Sequence, residues 1–254
     1  MEIIKKATRI FTMVSLGALI ILGAFYNMFA LTMDFPSPAE IQALDNVANH
    51  FPDEERIAVK RSRMSTVHVV SEAPSGRLTK LTGIYLTARK KFYVLTAAHG
   101  IVGTCATTWI WSRNMSYSDC KEIVLVDLES DYAIIEIEKM PALSPIIIPG
   151  MLPAAQEWTI VLAAQTKIYY TGFPNGSGLL TFDGRIAGYS DNGFICVNSH
   201  AWYGSSGSGV FNRAGKLIGY IVAIDAGRTE YGIEVIPGMM YAEPAFKVDW
   251  SVIL

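Results

Sequence analysis

The sequence predicts an all-β domain of two antiparallel barrels behind a single N-terminal transmembrane helix. Three observations predict it. Residues 10–33 carry no charged side chain. From about Arg63 onward, short β-branched and aromatic runs alternate with turn residues and show no sustained helical period. These runs fall into two series on either side of a Pro-rich stretch at 141–153. At 51% hydrophobic and 17% charged, against an ordinary charged share of roughly a quarter, the chain is neither disordered nor a coiled coil. Its net charge of −2 offers no broad cationic surface for phosphates, so nucleic acid is not an expected partner.

As a helix, residues 10–33 would run about 36 Å, enough to cross a hydrocarbon core of about 30 Å with some tilt. Lys5, Lys6 and Arg9 precede the segment and Asp34 follows it. That bias keeps residues 1–9 cytoplasmic and sends the bulk of the chain to the periplasmic or extracellular side. The alternative is a secreted protein released by signal cleavage, against which Met28, Phe29 and Ala30 make a poor cleavage site. Residues 34–62 read as a helical spacer: Ser37 and Glu40 form a capping box, Pro38 suits the first helical position, and Ile41, Leu44 and Val47 share a face. His50, in "HFPDEER", reads as a solvated loop histidine.

The remainder, 63–254, divides into barrel one (63–140), the connector (141–153) and barrel two (154–254). Expected strands in the first series are Thr66 to Val70, Leu81 to Leu86, Phe92 to Thr96, Thr107 to Trp111, Ile123 to Val126 and Ala133 to Ile137. The second series comprises Thr159 to Ala163, Ile168 to Thr171, Leu179 to Tyr189, Gly193 to Asn198, Gly209 to Asn212, Leu217 to Ile224 and Tyr231 to Val235. Periodicity alone equally permits a single sandwich.

Three stretches carry chemistry. In "FYVLTAAHG" an apolar strand runs into Thr96, Ala97, Ala98 and then His99, and the small residues let the imidazole lie close to neighbouring backbone. In "ESDYAIIEIE", Asp131 opens a strand whose side chains alternate between faces, placing a carboxylate at a core edge where an imidazole N–H would satisfy it. Asp127 precedes no such run. In "YGSSGSGVFN", Gly204, Gly207 and Gly209 interleave with serines in a turn able to aim backbone N–H groups inward and expose one hydroxyl. A serine hydroxyl becomes a useful nucleophile when an imidazole takes its proton and a carboxylate fixes that imidazole.

The order His, Asp, Ser on these motifs resembles the trypsin-like, chymotrypsin-fold serine peptidases, closest to the bacterial branch that includes the HtrA and glutamyl endopeptidase groups. The resemblance covers roughly Ser65 to Pro237, with "GFP" at Gly172 to Pro174 and "GKLIGYI" from Gly215 as weaker signatures. It implies a double six-stranded antiparallel β-barrel. It also implies a membrane-anchored serine endopeptidase working through an acyl-enzyme, with Ser206 as nucleophile, His99 as general base and Asp131 as its orienting partner. The N–H groups of Gly204 and Ser206 would form the oxyanion hole. Ser205 and Ser208 are bystanders on this reading, although each departs from the family pattern. Carry-over further implies a specificity pocket bounded by His200 and by Val222, Ala223 and Ile224, without the acidic base that selects Lys or Arg. Too little chain follows Pro237 for a PDZ-type domain.

Cys105 and Cys120 flank a hairpin whose turn is expected near Ser112 to Met115, close enough for a disulfide on the non-cytoplasmic side. Cys196 reads as a buried apolar thiol, and His68 as a solvent-side strand residue without a role. No metal or other cofactor is expected; the expected partners are a protein or peptide substrate and the membrane, with the oligomeric state open. The competing reading is a weak or inactive peptidase-fold protein that binds at the membrane. An α/β-hydrolase esterase requires the order Ser, Asp, His and a helix after the nucleophile, neither of which this sequence has.

Overall fold

The computed structural model describes residues 53–254 apart from Met115, Glu230 and Tyr231. The span expected at 10–33, the helix opening at Ser37, and His50 lie outside the described residues. Among the described residues no helix is long and apolar enough to cross a membrane.

The chain opens with helix α1 (Asp53–Met64), then β1 (Thr66–Glu72), β2 (Leu78–Ala88), β3 (Lys91–Thr96), β4 (Thr108–Trp111), β5 (Tyr117–Asp127) and β6 (Tyr132–Ile137). These six strands pair in the order β1-β4-β5-β6-β3-β2, and β2 returns to pair with β1, closing the first barrel. The stretch read as a connector adds a short strand, β7 (Ile146–Ile147), parallel to β2. After a single helical turn, α2 (Trp158–Val161), come β8 (Lys167–Gly172), β9 (Leu180–Tyr189), β10 (Ile195–Asn198), β11 (Gly209–Asn212), β12 (Leu217–Thr229) and β13 (Gly232–Pro244). They close a second barrel in the order β10-β13-β12-β11-β8-β9. The architecture is the two-barrel alternative, not the sandwich.

Strand alternation explains how two barrels become one body. Val67, Val69, Leu81, Val94, Ile135 and Ile137 fill barrel one, and Ile168, Tyr170, Ile186, Val197, Val210 and Ile218 fill barrel two. The opposite faces of the same strands are also apolar. Ile84, Leu86, Leu95, Tyr132 and Ile134 meet Phe211, Leu217, Tyr220 and Val222 in a third cluster between the barrels, sealed by Ala245, Val248 and Ile253 after β13. Each such side chain contributes about 1.5–3 kcal/mol on burial, so the seam is a core in its own right. Residues projecting across it can hold loops of the other barrel.

One expected element is corrected. Thr159 to Ala163, read as a strand, lies largely in α2, because a short apolar run fits either state and Trp158 packs edge-on against Phe246. The "DEER" stretch, inside the expected helical spacer, is the start of α1, which docks on barrel two. Ala58 and Val59 pack against Tyr169, Arg61 Nη1 donates to the carbonyls of Ala214 and Gly215 at 3.2 and 2.8 Å, and Ser62 Oγ donates to Thr171 Oγ1 at 2.7 Å.

Candidate active site

Each functional segment sits where a strand ends at the seam. β3 stops at Thr96, and buried Ala97 and Ala98 lead into one tight turn carrying His99. The β5–β6 turn is wound by Asp127, whose Oδ1 accepts from the N–H groups of Glu129 and Ser130 at 2.9 and 3.0 Å. Asp127 is thus a turn former. The turn ends with Asp131 at φ +51°, a left-handed conformation that aspartate tolerates better than most residues. In this pose the Asp131 carboxylate grips His99 twice, Oδ1 accepting the backbone N–H at 2.8 Å and Oδ2 lying 2.7 Å from Nδ1. The Ala98 N–H donates to the Asp131 carbonyl at 3.2 Å. Asp131 therefore fixes both the ring and the backbone that bears it.

The third segment enters from barrel two. Between β10 and β11 the chain makes a tight loop in which Ser205 N–H donates to Trp202 O at 2.9 Å, Gly207 N–H to Ile221 O at 2.7 Å and Ser208 N–H to Ser205 O at 3.0 Å. The N–H groups of Gly204 and Ser206 donate to no carbonyl among the described residues. Their directions follow from peptide planarity, since C=O and N–H point oppositely across a trans peptide. Tyr203 O accepts from Asn175 N–H and Ser205 O from Ser208 N–H, which turns the Gly204 and Ser206 N–H groups to the other side. Gly204 (φ +94°) and Gly207 (φ +85°) need glycine on two counts. A Cβ at Gly207 would stand 2.0 Å from Thr82 O, and one at Gly204 would stand 2.6 Å from Phe173 O.

His99 and Ser206 line one cleft of about 210 Å³, together with Trp202, Tyr203, Ser205 and the run Ile221, Val222, Ala223, Ile224. Of the sequence-expected site residues, the structure joins His99 to Asp131 by direct contact and brings His99, Ser206, Val222, Ala223 and Ile224 around this cleft. It does not bring His200 there. Just past β10, Ser199 is buried, its Oγ donating to Asp183 O at 2.8 Å, and His200 is exposed to solvent. Trp202 and Tyr203, packed edge-on with centroids 5.8 Å apart, line the cleft instead.

The model of the trypsin-like peptidase domain matches residues 81–219. The chain belongs to the trypsin-like peptidase family. Two solved structures are similar to it. The serine endoprotease from Yersinia pestis aligns at 22% identity with a TM-score of 0.61, over 80% of this chain and 68% of its own. The HtrA-type protease AlgW with tripeptide aligns at 21% identity with a TM-score of 0.62, over 80% of this chain and 64% of its own. This trypsin-like peptidase thus spans about two thirds of the length of each, and what it shares with them is the fold. No curated protein matches it.

Around the cleft, this trypsin-like peptidase holds two residues that sequence reasoning misjudged. His68, expected on the solvent side of β1, is largely covered by barrel two, its ring 5.0 Å from that of Phe173. Burial, with Lys80 nearby, lowers its pKa. Thr82 was read only as a strand residue. No local pattern marks it, because its partners lie in another barrel. Cys105 and Cys120 are joined in a disulfide with Cα atoms 5.2 Å apart. Cys196 is half-buried, on the outer phase of β10.

Proposed function

We propose that this trypsin-like peptidase is a serine endopeptidase that cleaves peptide bonds through a covalent acyl-enzyme on Ser206. The observation that carries the reading is the doubly held His99–Asp131 pair opening onto the same cleft as Ser206. His99 Nε2 takes the Ser206 hydroxyl proton as Oγ attacks the scissile carbonyl. Asp131 Oδ2 holds the Nδ1 proton, fixing the tautomer and stabilising the imidazolium that forms. The negative charge developing on the carbonyl oxygen is met by the N–H groups of Gly204 and Ser206, a stabilisation of about 3–4 kcal/mol per donor. His99 then protonates the leaving amine, and a water activated by the same imidazole hydrolyses the ester.

Among the described residues, the cleft wall of Ile221, Val222, Ala223 and Ile224 with the Trp202 and Tyr203 rings contains no acid. It suits an apolar side chain before the scissile bond and disfavours a lysine or arginine. We place this domain outside the cytoplasm, anchored through residues 10–33. The charge bias at Lys5, Lys6 and Arg9 supports this, as does a disulfide of a kind that persists in oxidising compartments.

The test is hydrolysis of a peptide library by the full chain, with Ser206→Ala beside it. Cleavage after apolar residues, lost in the variant, is the expected result. Strict cleavage after Lys or Arg overturns the pocket assignment. A wild-type chain that binds peptides without cleaving them favours the binding-protein reading.

A further inference from the structure

We infer that Thr82, on a strand of barrel one, is the positioning residue that holds the oxyanion loop of barrel two in its working shape. The inference rests on the serine-peptidase reading proposed above. Thr82 is fully buried and every hydrogen-bonding group it has is engaged at this seam. Its hydroxyl donates to Gly204 O at 2.7 Å and accepts the Phe173 N–H at 3.0 Å. Its own N–H donates to Ser206 O at 2.9 Å. Its carbonyl accepts the Thr96 hydroxyl at 2.7 Å, which ties the clamp to β3, the strand that delivers His99.

The peptide that the Thr82 hydroxyl grips is the one between Gly204 and Ser205. It links the two peptide units whose N–H groups, those of Gly204 and Ser206, face away from their own loop. With no Cβ, Gly204 rotates between φ signs at little cost. At φ +94° nothing in its own side chain keeps the two donors aimed together; Trp202 O holds the N–H end of the gripped peptide from within the loop at 2.9 Å, and the restraint on its carbonyl end comes from outside. The hydroxyl supplies it by fixing the Gly204 carbonyl, and the Thr82 N–H fixes the carbonyl of the nucleophile residue itself. One residue therefore pins the loop on both sides of Ser205, from a strand that shares a barrel with His99 and Asp131. The contact is made before any substrate arrives, as preorganised stabilisation of a transition state requires.

This predicts an effect on the chemical step more than on binding. In the full chain, Thr82→Val keeps the shape and removes the hydroxyl, while Thr82→Ser keeps the hydroxyl. Thr82→Val is expected to lower kcat about 10- to 100-fold with KM within about twofold, less than the about 10²–10³-fold that follows loss of a donor itself. A peptide aldehyde, whose adduct with serine carries the same oxyanion, should lose affinity by the same factor. Thr82→Ser should recover most of both. Should Thr82→Val not fold, Thr82→Ala, which leaves room for a water in place of the hydroxyl, is expected to show the same pattern with a smaller loss. A folded Thr82→Val with wild-type kcat overturns the inference. So does a loss confined to KM or to melting temperature, a Ser variant as impaired as Val, or a failure of both Val and Ala to fold. A wild-type chain that neither hydrolyses peptides nor reacts with a fluorophosphonate refutes the underlying reading instead, and the inference falls with it.

Discussion

Tyr220, deep in the seam on β12, donates its phenolic proton across the barrels to the carbonyl of Ser130 at 2.6 Å. Burial, reinforced by the negative charges of Glu243 and Asp131, raises its pKa and favours the protonated, donating form. Ser130 immediately precedes Asp131, so barrel two braces the carboxylate turn of barrel one. Tyr220→Phe keeps the ring and leaves Ser130 O without this donor, which is expected to cost about 1–3 kcal/mol of stability and to lower kcat several-fold. Denaturant titration and steady-state kinetics on one preparation check both.

Asp131→Asn should be far more damaging to activity than to folding. An amide can still accept the His99 backbone N–H, but it no longer holds the imidazole in the required tautomer, and kcat is expected to fall about 10⁴-fold. Thermal unfolding should move little. Hydrolysis at wild-type rates by the folded variant would remove Asp131 from the mechanism.

Ser208 is buried and its Oγ has no hydrogen-bond partner among the described residues. Ser208→Ala is therefore expected to retain activity and to match or exceed wild-type stability, since an unsatisfied hydroxyl costs free energy on burial. A calorimetric melt together with the hydrolysis rate checks it, and it separates Ser208 from Ser206 by function where the sequence offers three neighbouring serines.

The Cys105–Cys120 bridge closes a loop of sequence separation 15, which on chain-entropy grounds contributes about 3 kcal/mol. Cys105→Ser with Cys120→Ser should lower stability by about that amount. Alkylation of native protein before reduction should leave these two cysteines unmodified, as read by mass spectrometry.

Docking of α1 should fade in acid. Lys167 Nζ lies 2.9 Å from Glu55 Oε1, which holds the Glu55 carboxyl below its ordinary 4.5 and raises the Lys167 ammonium. A depressed carboxylate pKa stabilises the fold above 4.5, and that contribution is lost as pH falls through the lower folded value. The raised lysine contributes below 10.5 and loses its contribution as pH rises through the folded value. Glu55→Gln is thus expected to cost less than about 1 kcal/mol at pH 7 and less still at about pH 3. Urea titrations of both proteins at the two pH values test the sign.

The strands were legible because barrel packing writes itself into alternation: Val67 and Val69, or Ile135 and Ile137, report an inner face directly. Even β6, buried on both faces along most of its length, was visible from the apolar run Tyr132 to Ile135. The triad segments were legible because each couples a strand end to a short, specific motif. What was not legible depends on the other barrel. α1 is charged along most of its length and is held by Arg61, Ser62 and the Glu55–Lys167 pair, polar contacts that leave no hydrophobic period. His68 looks like an outward strand residue until Phe173 covers it. His200 was placed by counting from Ser206, and the count does not report that Ser199 is buried while His200 is exposed. Thr82 reads as any β-former, and its meaning lies in two carbonyls more than 120 positions downstream.

Of three neighbouring serines, Ser206 alone is expected to be activated. The most direct measurement is reaction of the full chain with a fluorophosphonate, followed by fragmentation mass spectrometry of the peptide spanning Gly204 to Gly209. A single stoichiometric adduct on Ser206 is expected, absent from Ser206→Ala and His99→Ala and retained in Ser208→Ala. An adduct on Ser205 or Ser208, or none on folded wild-type protein, would contradict it.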